Sequence, residues 1–453
     1  MSTVVWSALA FIVTLGILIT VHEFGHFWVA RRLGVKVLRF SVGFGKPLWT
    51  RRGKDGTEYV LAVLPLGGYV RMLDEGEGEV KHAELPRAFN RQSLATRSAI
   101  VSAGPLFNFG FAILAYWLMF LIGVAGLRPL IGEVMEHSVA QQAGLLKGDE
   151  VVEVGGKSTP TWDTALIAMT GKALDRTSID LTVQGEDGRR HARVLDVSAL
   201  SGLDRGDLLE HLGLRAMRPQ VPAVVGKVVP QGPAARAGLQ AGDRLLTADG
   251  QAIEDWVGWA AYVRAHAGVP IALILERNGA TQHLELTPEA KPAPDGGVVG
   301  RIEAAPEPLK ALPPGLRAEQ RYAPGAALVK AVEQTWEMSL LTLRLLAKMV
   351  VGEASLQNIS GPLSIAEYAG YSASDGIGPF LRFLALVSVS LAILNLLPVP
   401  ILDGGHLMYY LIEAVKGSPV SLKAQQIGQQ LGIALLLGLT VLAFYNDLTR
   451  LFG

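Results

Sequence analysis

The 453-residue chain contains no cysteine. Disulfide bridges and thiolate metal ligands are therefore excluded, and any bound metal must be held by histidine and carboxylate side chains. Charge is also scarce, because charged residues make up 18% of the chain against about 25% in a typical soluble domain. The formal net charge is zero. The sequence therefore lacks the excess of positive charge that would indicate a nucleic-acid partner.

Apolar residues are abundant instead. Hydrophobic residues account for 50% of the chain, and the mean hydropathy is +0.32, which predicts a membrane protein with soluble parts. The first apolar stretch, residues 4–30, is long enough to cross a bilayer. It has neither a basic leading segment nor a small-residue cleavage site, so we expect a retained span; a cleaved signal peptide is the alternative.

The motif His22-Glu23-Phe24-Gly25-His26 lies at the end of this first span. Histidines four residues apart share one face of a helix, so both imidazoles can reach one metal ion, and Glu23 can take a proton from water. The alternative is a pair of helix histidines beside an incidental glutamate. Ionisable residues in a span are costly and usually functional, which favours the metal site.

Residues 31–98 begin with many Lys and Arg, so the positive-inside rule predicts a cytoplasmic loop and an outer N-terminus. Short apolar strands are expected at residues 35–40, 59–64 and 69–73, with a turn at 65–68. They predict a hairpin dipping into the membrane face, and a small amphipathic sheet on the surface is the alternative.

Three further spans are predicted at residues 99–125, 379–415 and 430–446. Asn108 is polar within the second span, and we expect it to face the helix bundle. The third span is interrupted near Asp403 by two prolines and two glycines. A bilayer tolerates such a break only where protein or a water-filled cavity surrounds it.

Residues 127–308 contain an internal repeat at a single offset. Ala143-Gly144-Leu145 aligns with Ala237-Gly238-Leu239, and Gly148-Asp149 aligns with Gly242-Asp243. Gly132, Gly156 and Trp162 also recur at that offset. The pattern resembles PDZ domains, which capture extended peptides at a strand edge; plain turns are the alternative for each glycine.

Residues 326–351 form a predicted helix with five charged residues, after a linker rich in Pro, Ala and Glu. That many charges favour an amphipathic helix on the outer face of the membrane. A tilted span is the alternative.

Asp403 is the candidate third metal ligand. The first and third spans run in the same direction, and each carries its polar motif near the inner end, so His22, His26 and Asp403 are expected at similar depth. A catalytic zinc needs a third protein ligand and keeps one position open. The competing interpretation is that Asp403 only caps the helix restart at Gly404. His406, one turn later, is expected to be an interface or supporting residue.

These features together resemble the site-2 protease family of intramembrane zinc metalloproteases. The histidine motif, the segment Asn395-Leu-Leu-Pro-Val-Pro-Ile-Leu-Asp-Gly-Gly405 and the repeated units between the second and third spans carry the resemblance. Residues 40–45, 65–70 and 103–108 also match stretches typical of the family. The similarity covers essentially the whole chain.

The expected fold class is an α-helical polytopic membrane protein with four transmembrane helices, a membrane-associated β-hairpin and two inserted α+β PDZ-like domains. The resemblance implies a bacterial cytoplasmic (inner) membrane location, with both termini and the PDZ-like domains on the periplasmic side. Five parts are expected: the first two spans and hairpin at 1–125, the PDZ-like domains at 127–218 and 221–308, the linker and outer-face helix at 309–362, and the last two spans at 363–453.

The resemblance also implies residue roles. His22, His26 and Asp403 would bind Zn²⁺, Glu23 would be the general base for a zinc-activated water, and Asn395 would be a second catalytic residue that contacts the substrate backbone or the oxyanion. The hairpin edge and the broken segment would hold an unwound substrate by backbone pairing. The candidate substrate-binding residues are Gly68, Tyr69, Val70, Pro398 and Pro400.

The implied function is regulated intramembrane proteolysis of single-span membrane proteins. The implied substrates are anti-sigma-factor-like proteins already cut by another protease, and remnant signal peptides, with the PDZ-like domains screening substrates or binding peptide ligands. The main competing function is a membrane-anchored PDZ scaffold with a vestigial zinc site. A metal transporter that uses His and Asp in its spans, and a zinc protease that cuts soluble peptides at the membrane face, also compete with it.

Overall fold

The computed structural model describes residues 3–174, 178–198, 208–292, 297–309 and 312–452. Within these ranges, four helices are long and apolar enough to cross a membrane, which confirms the predicted number of spans. These four helices, named the first to fourth spans, cover Thr3–Arg32, Leu94–Ile122, Ile377–Leu396 and Leu422–Phe452.

The third span is shorter than the sequence predicts. Its helix ends at Leu396, and a separate helix, Asp403–Lys416, starts after a link of six non-helical residues, 397–402. Proline lacks a backbone N–H and disfavours helix in the residue before it, so Pro398 and Pro400 keep this link irregular.

The hairpin consists of two long strands, Val37–Arg52 and Glu58–Met72. The predicted turn at residues 65–68 is wrong, because the second strand continues through it. Residues 39–42 of the first strand pair with two segments of the second strand, 68–71 on one side and 58–61 on the other. The second strand therefore bends between these two segments, where the sequence predicts a turn.

The second span is the centre of the helix bundle. It packs against the first span, the third span and the helix Pro324–Val350. Its start is set by Ser93, whose hydroxyl accepts a hydrogen bond from the Thr96 N–H, as helix N-caps do.

The helix Pro324–Val350, which we call the outer helix, corresponds to the amphipathic helix expected at 326–351. Ala327, Ala331 and Thr335 are buried at a spacing of four residues against the bundle. Large apolar side chains, including Val332 and Trp336, are exposed elsewhere on the helix. The outer helix therefore has apolar surface available for lipid as well as for protein.

The fourth span is fixed near its end by two buried polar residues. The Asp447 carboxylate accepts hydrogen bonds from the backbone N–H groups of Gly361, Leu363 and Ser364, at the start of the helix Pro362–Ser374. The Asn446 amide donates to two backbone carbonyls just before it, those of Leu356 and Ile359. These hydrogen bonds satisfy the buried side chains of Asn446 and Asp447, which would be costly to leave unpaired.

Two units of the same architecture lie between the second and third spans. In each, a four-stranded antiparallel sheet, a two-stranded sheet and a longer helix surround one apolar core. The strands of the first unit are Ile131–Val134, Glu150–Val154, Lys157–Ser158, Ile179–Gln184, Arg190–Leu195 and Leu214–Ala216, and its helices are Val139–Gln142, Trp162–Leu174 and Leu208–Leu212.

The second unit repeats this order, with an added strand pair before the last strand. Its strands are Val225–Val228, Arg244–Ala248, Gln251–Ala252, Ile271–Arg277, Ala280–Leu286, Glu289–Pro292, Val298–Arg301 and Ala304–Pro306, and its helices are Pro233–Arg236 and Trp256–Ala265. The strand order of the four-stranded sheet is the same in both units, so the sequence repeat is also a structural repeat.

The repeated aspartates hold equivalent turns. Asp149 accepts a hydrogen bond from the Leu146 N–H, and Asp243 accepts one from the Gln240 N–H. Burial of Asp243 opposes its ionisation, but the hydrogen bonds from the Arg277 guanidinium and the Gln240 N–H, together with the positive charge of Arg277, outweigh burial and lower the pKa of Asp243. The repeated aspartate therefore has the same structural role in both units, which is to hold a turn by accepting a backbone hydrogen bond.

The first unit contacts the membrane helices directly. Asp163 pairs with Arg382 at the start of the third span at 2.5 Å, and Lys157 pairs with Glu337 of the outer helix at 2.5 Å. A short antiparallel pair, Val124–Leu127 with Arg317–Gln320, joins the chain before the first unit to the chain after the second. Both units are thus inserted at one position on the bundle.

Candidate metal centre

The two motif histidines point their Nε2 atoms at each other. His22 and His26 lie one helical turn apart in the first span, and both are buried, each 9% exposed. Their Nε2 atoms are 3.3 Å apart, and the rings are nearly perpendicular, with an interplanar angle of 82°. The spacing predicted from the sequence therefore brings two ligand atoms to one point.

Asp403 completes the cluster from the other end of the chain. Its Oδ2 atom lies 3.2 Å from His22 Nε2 and 3.5 Å from His26 Nε2. The atom is buried and has no other hydrogen-bond partner among the described residues. The point equidistant from the three atoms is about 1.9 Å from each, close to zinc–ligand distances of about 2.0–2.2 Å.

The donor set therefore fits a zinc ion. Two imidazole nitrogens and one carboxylate oxygen are among the ligand sets of catalytic zinc sites, which keep a fourth position open. Within the described residues, this is the one group of three or more His, Asp or Glu side chains placed to hold a metal ion. The capping interpretation of Asp403 lacks support, because no side chain caps this helix and Oδ2 faces the histidines.

The remaining ring nitrogens of both histidines face the second span. His26 Nδ1 is 2.8 Å from the backbone carbonyl oxygen of Ile100. His22 Nδ1 is 3.3 Å from the side-chain amide of Asn108, which is fully buried. The second span thus contacts both rings, and it contributes no side chain to the candidate ligand set among the described residues.

Glycine permits this close approach. A Cβ atom at Gly104 would lie 2.3 Å from His26 Nε2 and 2.7 Å from His22 Cε1, and one at Gly25 would lie 2.5 Å from the Ala103 carbonyl oxygen. Real Cβ atoms do not approach so closely. The first and second spans can therefore meet at the histidines only because both of these positions lack a side chain.

A second glycine pair positions Asp403. A Cβ atom at Gly404 would lie 2.3 Å from the carbonyl oxygens of Leu396 and Leu397, and one at Gly405 would lie 2.2 Å from the Val399 carbonyl oxygen. The helix that begins at Asp403 is therefore pressed against the end of the third span. This packing turns the Asp403 carboxylate back toward the histidines.

Glu23 lies between the three candidate metal ligands and the hairpin. A Cβ atom at Gly68 would be 3.0 Å from Glu23 Cγ and 3.1 Å from Ile19 Cγ2. The hairpin segment Gly68–Tyr69–Val70 therefore passes beside the candidate base, with the Val70 N–H directed at the Glu23 carboxylate. Three of the predicted substrate-binding residues are thus next to Glu23.

The other predicted residues lie in and around the break. Asn395 is half-buried in the last turn of the third-span helix. Pro398 is exposed and Pro400 half-buried in the link that follows, and His406 lies edge-to-face with Tyr409. Among the described residues, no hydrogen bond joins Asn395 to the histidines or to Asp403.

Sequence reasoning misses two contributors to the site. It places Asn108 toward the bundle but does not predict the contact with His22, and it includes Gly104 only as part of a family-like stretch. The available signal is a polar residue and a glycine one helical turn apart in an apolar span. Spacing within one helix does not reveal which side chain of another helix it meets.

Comparison with known proteins agrees with the geometry. A profile of Peptidase family M50 matches residues 10–439. The chain belongs to this family. "Regulator of sigma-E protease RseP" of Escherichia coli (strain K12) is 46% identical over 453 residues and covers 100% of both chains. The resemblance to intramembrane zinc metalloproteases is thereby confirmed.

Further relatives have similar names. A "Putative zinc metalloprotease" of Vibrio cholerae is 44% identical over 454 residues, and "Regulator of sigma E protease" of Salmonella typhi is 44% identical over 458 residues, each covering 100% of both chains. A solved PDZ domain of an SdrC-like protein from Listeria monocytogenes covers 18% of this chain and 85% of its own at 20% identity, with a TM-score of 0.15. A score this low supports no conclusion about the fold.

We predict that Gly104→Ala weakens zinc binding, because the added methyl group collides with both imidazoles. Overpacking costs about 1–3 kcal/mol, which corresponds to roughly 5- to 150-fold in zinc affinity. The measurement is zinc competition with a chelator on the purified full-length protein. Gly110→Ala on the same helix is the matched control, because a Cβ there has nothing within 4 Å; equal affinities for the two variants would refute this account of Gly104.

Proposed function

We propose that this chain is an intramembrane zinc metalloprotease that cleaves single-span membrane proteins. The observation that carries the proposal is the convergence of His22, His26 and Asp403 between membrane helices, with Glu23 beside them. Zinc is the expected metal because the donor set and the interatomic distances suit it, and because relatives are named zinc metalloproteases. A vestigial site in a scaffold is not favoured, since a purely structural site needs no base.

In the proposed mechanism, His22, His26 and Asp403 would hold the metal, and solvent and substrate would reach it beside Glu23. When bound, zinc supplies Lewis acidity toward a carbonyl oxygen and toward water. The Glu23 carboxylate accepts the proton of the attacking water and then delivers it to the nitrogen of the departing amine. Asn395 is proposed to donate its amide N–H to the substrate backbone or to the developing oxyanion.

The substrate is proposed to bind as an extended strand. A transmembrane helix shields its own backbone carbonyls, so a segment must unwind before water can attack it. The sheet edge at Gly68, Tyr69 and Val70 lies next to Glu23, and its backbone groups would pair with the substrate, as in other peptide-binding sheets. Pro398 and Pro400 would border the other side of the extended segment.

The two α+β units are proposed to be PDZ-like domains, at 127–218 and 221–308, that screen substrates. Support comes from their shared strand order, from the repeated Ala-Gly-Leu-x-x-Gly-Asp turn and from the attachment of the first unit to the bundle. Two folded units attached at the outer end of the bundle would obstruct a substrate that still carries a bulky outer domain. Proteins trimmed by a first protease, such as anti-sigma-factor-like proteins, and remnant signal peptides are then the favoured substrates.

The orientation is part of the same proposal. The basic residues after the first span favour a cytoplasmic side for the hairpin, and both termini and the PDZ-like units would then lie on the periplasmic side of a bacterial inner membrane. The exposed Leu48, Trp49 and Leu64 side chains of the hairpin suit contact with the inner leaflet. The linker and outer helix, 309–362, would lie at the outer face, between the units and the last two spans, 363–453.

The proposed function predicts that Glu23→Gln abolishes cleavage and keeps zinc. The amide is nearly isosteric but accepts no proton, and loss of a general base costs about 10²–10⁴-fold in rate. Cleavage of a single-span reporter and zinc content are measured on the same preparation. Cleavage at the native rate by this variant would overturn the proposal.

One cleavage assay tests the strand edge and the screening units, using trimmed and untrimmed reporters. Val70→Pro removes an N–H beside Glu23 and should slow cleavage of the trimmed reporter at least tenfold, whereas Val70→Ala keeps the N–H and should change it little.

Deletion of residues 127–308 should permit cleavage of the untrimmed reporter. Unchanged cleavage by Val70→Pro refutes the edge proposal, and continued refusal of the untrimmed reporter refutes the screening proposal.

A further inference from the structure

Asn108 is a buried polar residue in an apolar helix, and the proposed mechanism gives it no task. It is 0% exposed in the middle of the second span. Its side-chain amide is 3.3 Å from His22 Nδ1, while its Oδ1 atom has no hydrogen-bond partner among the described residues. A buried amide atom without a hydrogen-bond partner is unfavourable, so burial alone does not explain an amide side chain at this position.

The chemistry of a histidine ligand identifies that role. A neutral imidazole carries its proton on one nitrogen and a lone pair on the other, and only the lone pair can bind a metal. If Nε2 is the ligand atom, Nδ1 must carry the proton and needs an acceptor. For His26 the acceptor is the Ile100 carbonyl oxygen, 2.8 Å from Nδ1.

For His22 the described partner of Nδ1 is the Asn108 amide. The oxygen and nitrogen of an amide have nearly the same shape, and their assignment follows from the hydrogen-bond network. Rotating the amide places Oδ1 where it accepts a hydrogen bond from the His22 Nδ1–H. This orientation gives the oxygen a donor, moves the amide nitrogen to the position that has no partner among the described residues, and leaves the Nε2 lone pair directed at Asp403 Oδ2, 3.2 Å away.

Helix packing alone does not account for the asparagine. The contact between the second and third spans at this position is made by the Ser388 hydroxyl, which donates to the backbone carbonyl oxygen of Asn108 at 2.8 Å. Any residue at position 108 would offer that carbonyl. The side-chain amide is therefore available for His22, and a leucine of similar size would serve packing better.

We propose that Asn108 is a positioning residue that fixes the tautomer and ring orientation of His22 by accepting a hydrogen bond from its Nδ1–H. The inference rests on the proposed ligation of zinc by His22. It adds a side-chain acceptor from the second span to a site whose metal ligands come only from the first span and the Asp403 helix.

The test compares three variants of the full-length protein by zinc affinity, measured by chelator competition in detergent. Asn108→Leu keeps the volume and removes the acceptor, so zinc should bind 10- to 100-fold more weakly, the usual cost of losing such a partner. Asn108→Asp keeps an acceptor and should stay within about fivefold of the native affinity. Ser388→Ala removes the helix contact at the same residue and should stay within about twofold.

The acceptor role is overturned if Asn108→Leu binds zinc within about twofold of the native protein, or if Asn108→Asp is as weak as Asn108→Leu. Asn108→Ala, which adds no bulk, replaces the leucine variant if that one fails to accumulate. His22→Ala separates the two proposals. If it binds zinc as the native protein does, the proposed metal site itself fails; if only His22→Ala weakens binding, the role of Asn108 alone fails.

Discussion

The structure depends on the contact between the first and second spans at Gly25 and Gly104. The two glycines let the helix backbones come close enough for His22 and His26 to fit between them. Because lipid hydrocarbon offers no hydrogen bonds, the Nδ1 atoms of these buried histidines need partners within the protein. The second span provides those partners, and this leaves the two Nε2 atoms directed at a common point.

The position of Asp403, the third candidate ligand, follows from a break in a membrane helix. Two prolines end the third span and two glycines allow the next helix to start against its end, so Asp403 points back at the histidines. The break exposes backbone groups beside the site, and the bent hairpin brings a strand edge to the same place. A helix break, a strand edge and the Glu23 carboxylate thus meet at the candidate metal centre, which is the arrangement that the proposed peptide hydrolysis within a membrane needs.

The sequence predicts much of this because its strongest patterns are local. The four apolar stretches, the four-residue histidine spacing and the single-offset repeat each depend on short-range geometry. The turn expected at 65–68 is wrong because glycine and proline also mark a bent strand, and pairing on both sides of residues 39–42 depends on tertiary structure. The sequence does not predict the contact of Asn108 with His22 for the same reason, because the residues of one helix do not specify how it is rotated against another.

Zinc K-edge X-ray absorption of the purified full-length protein, native and Asp403→Ala, shows whether two histidines and one aspartate hold the metal. The native protein should contain one zinc per chain, with two imidazole nitrogens and carboxylate or water oxygens at about 2.0–2.2 Å. In Asp403→Ala the outer-shell scattering of two imidazoles should remain while the carboxylate contribution is lost and zinc is held more weakly. A native site with one or no imidazole, or an unchanged spectrum and affinity in Asp403→Ala, would contradict a metal centre closed by His22, His26 and Asp403.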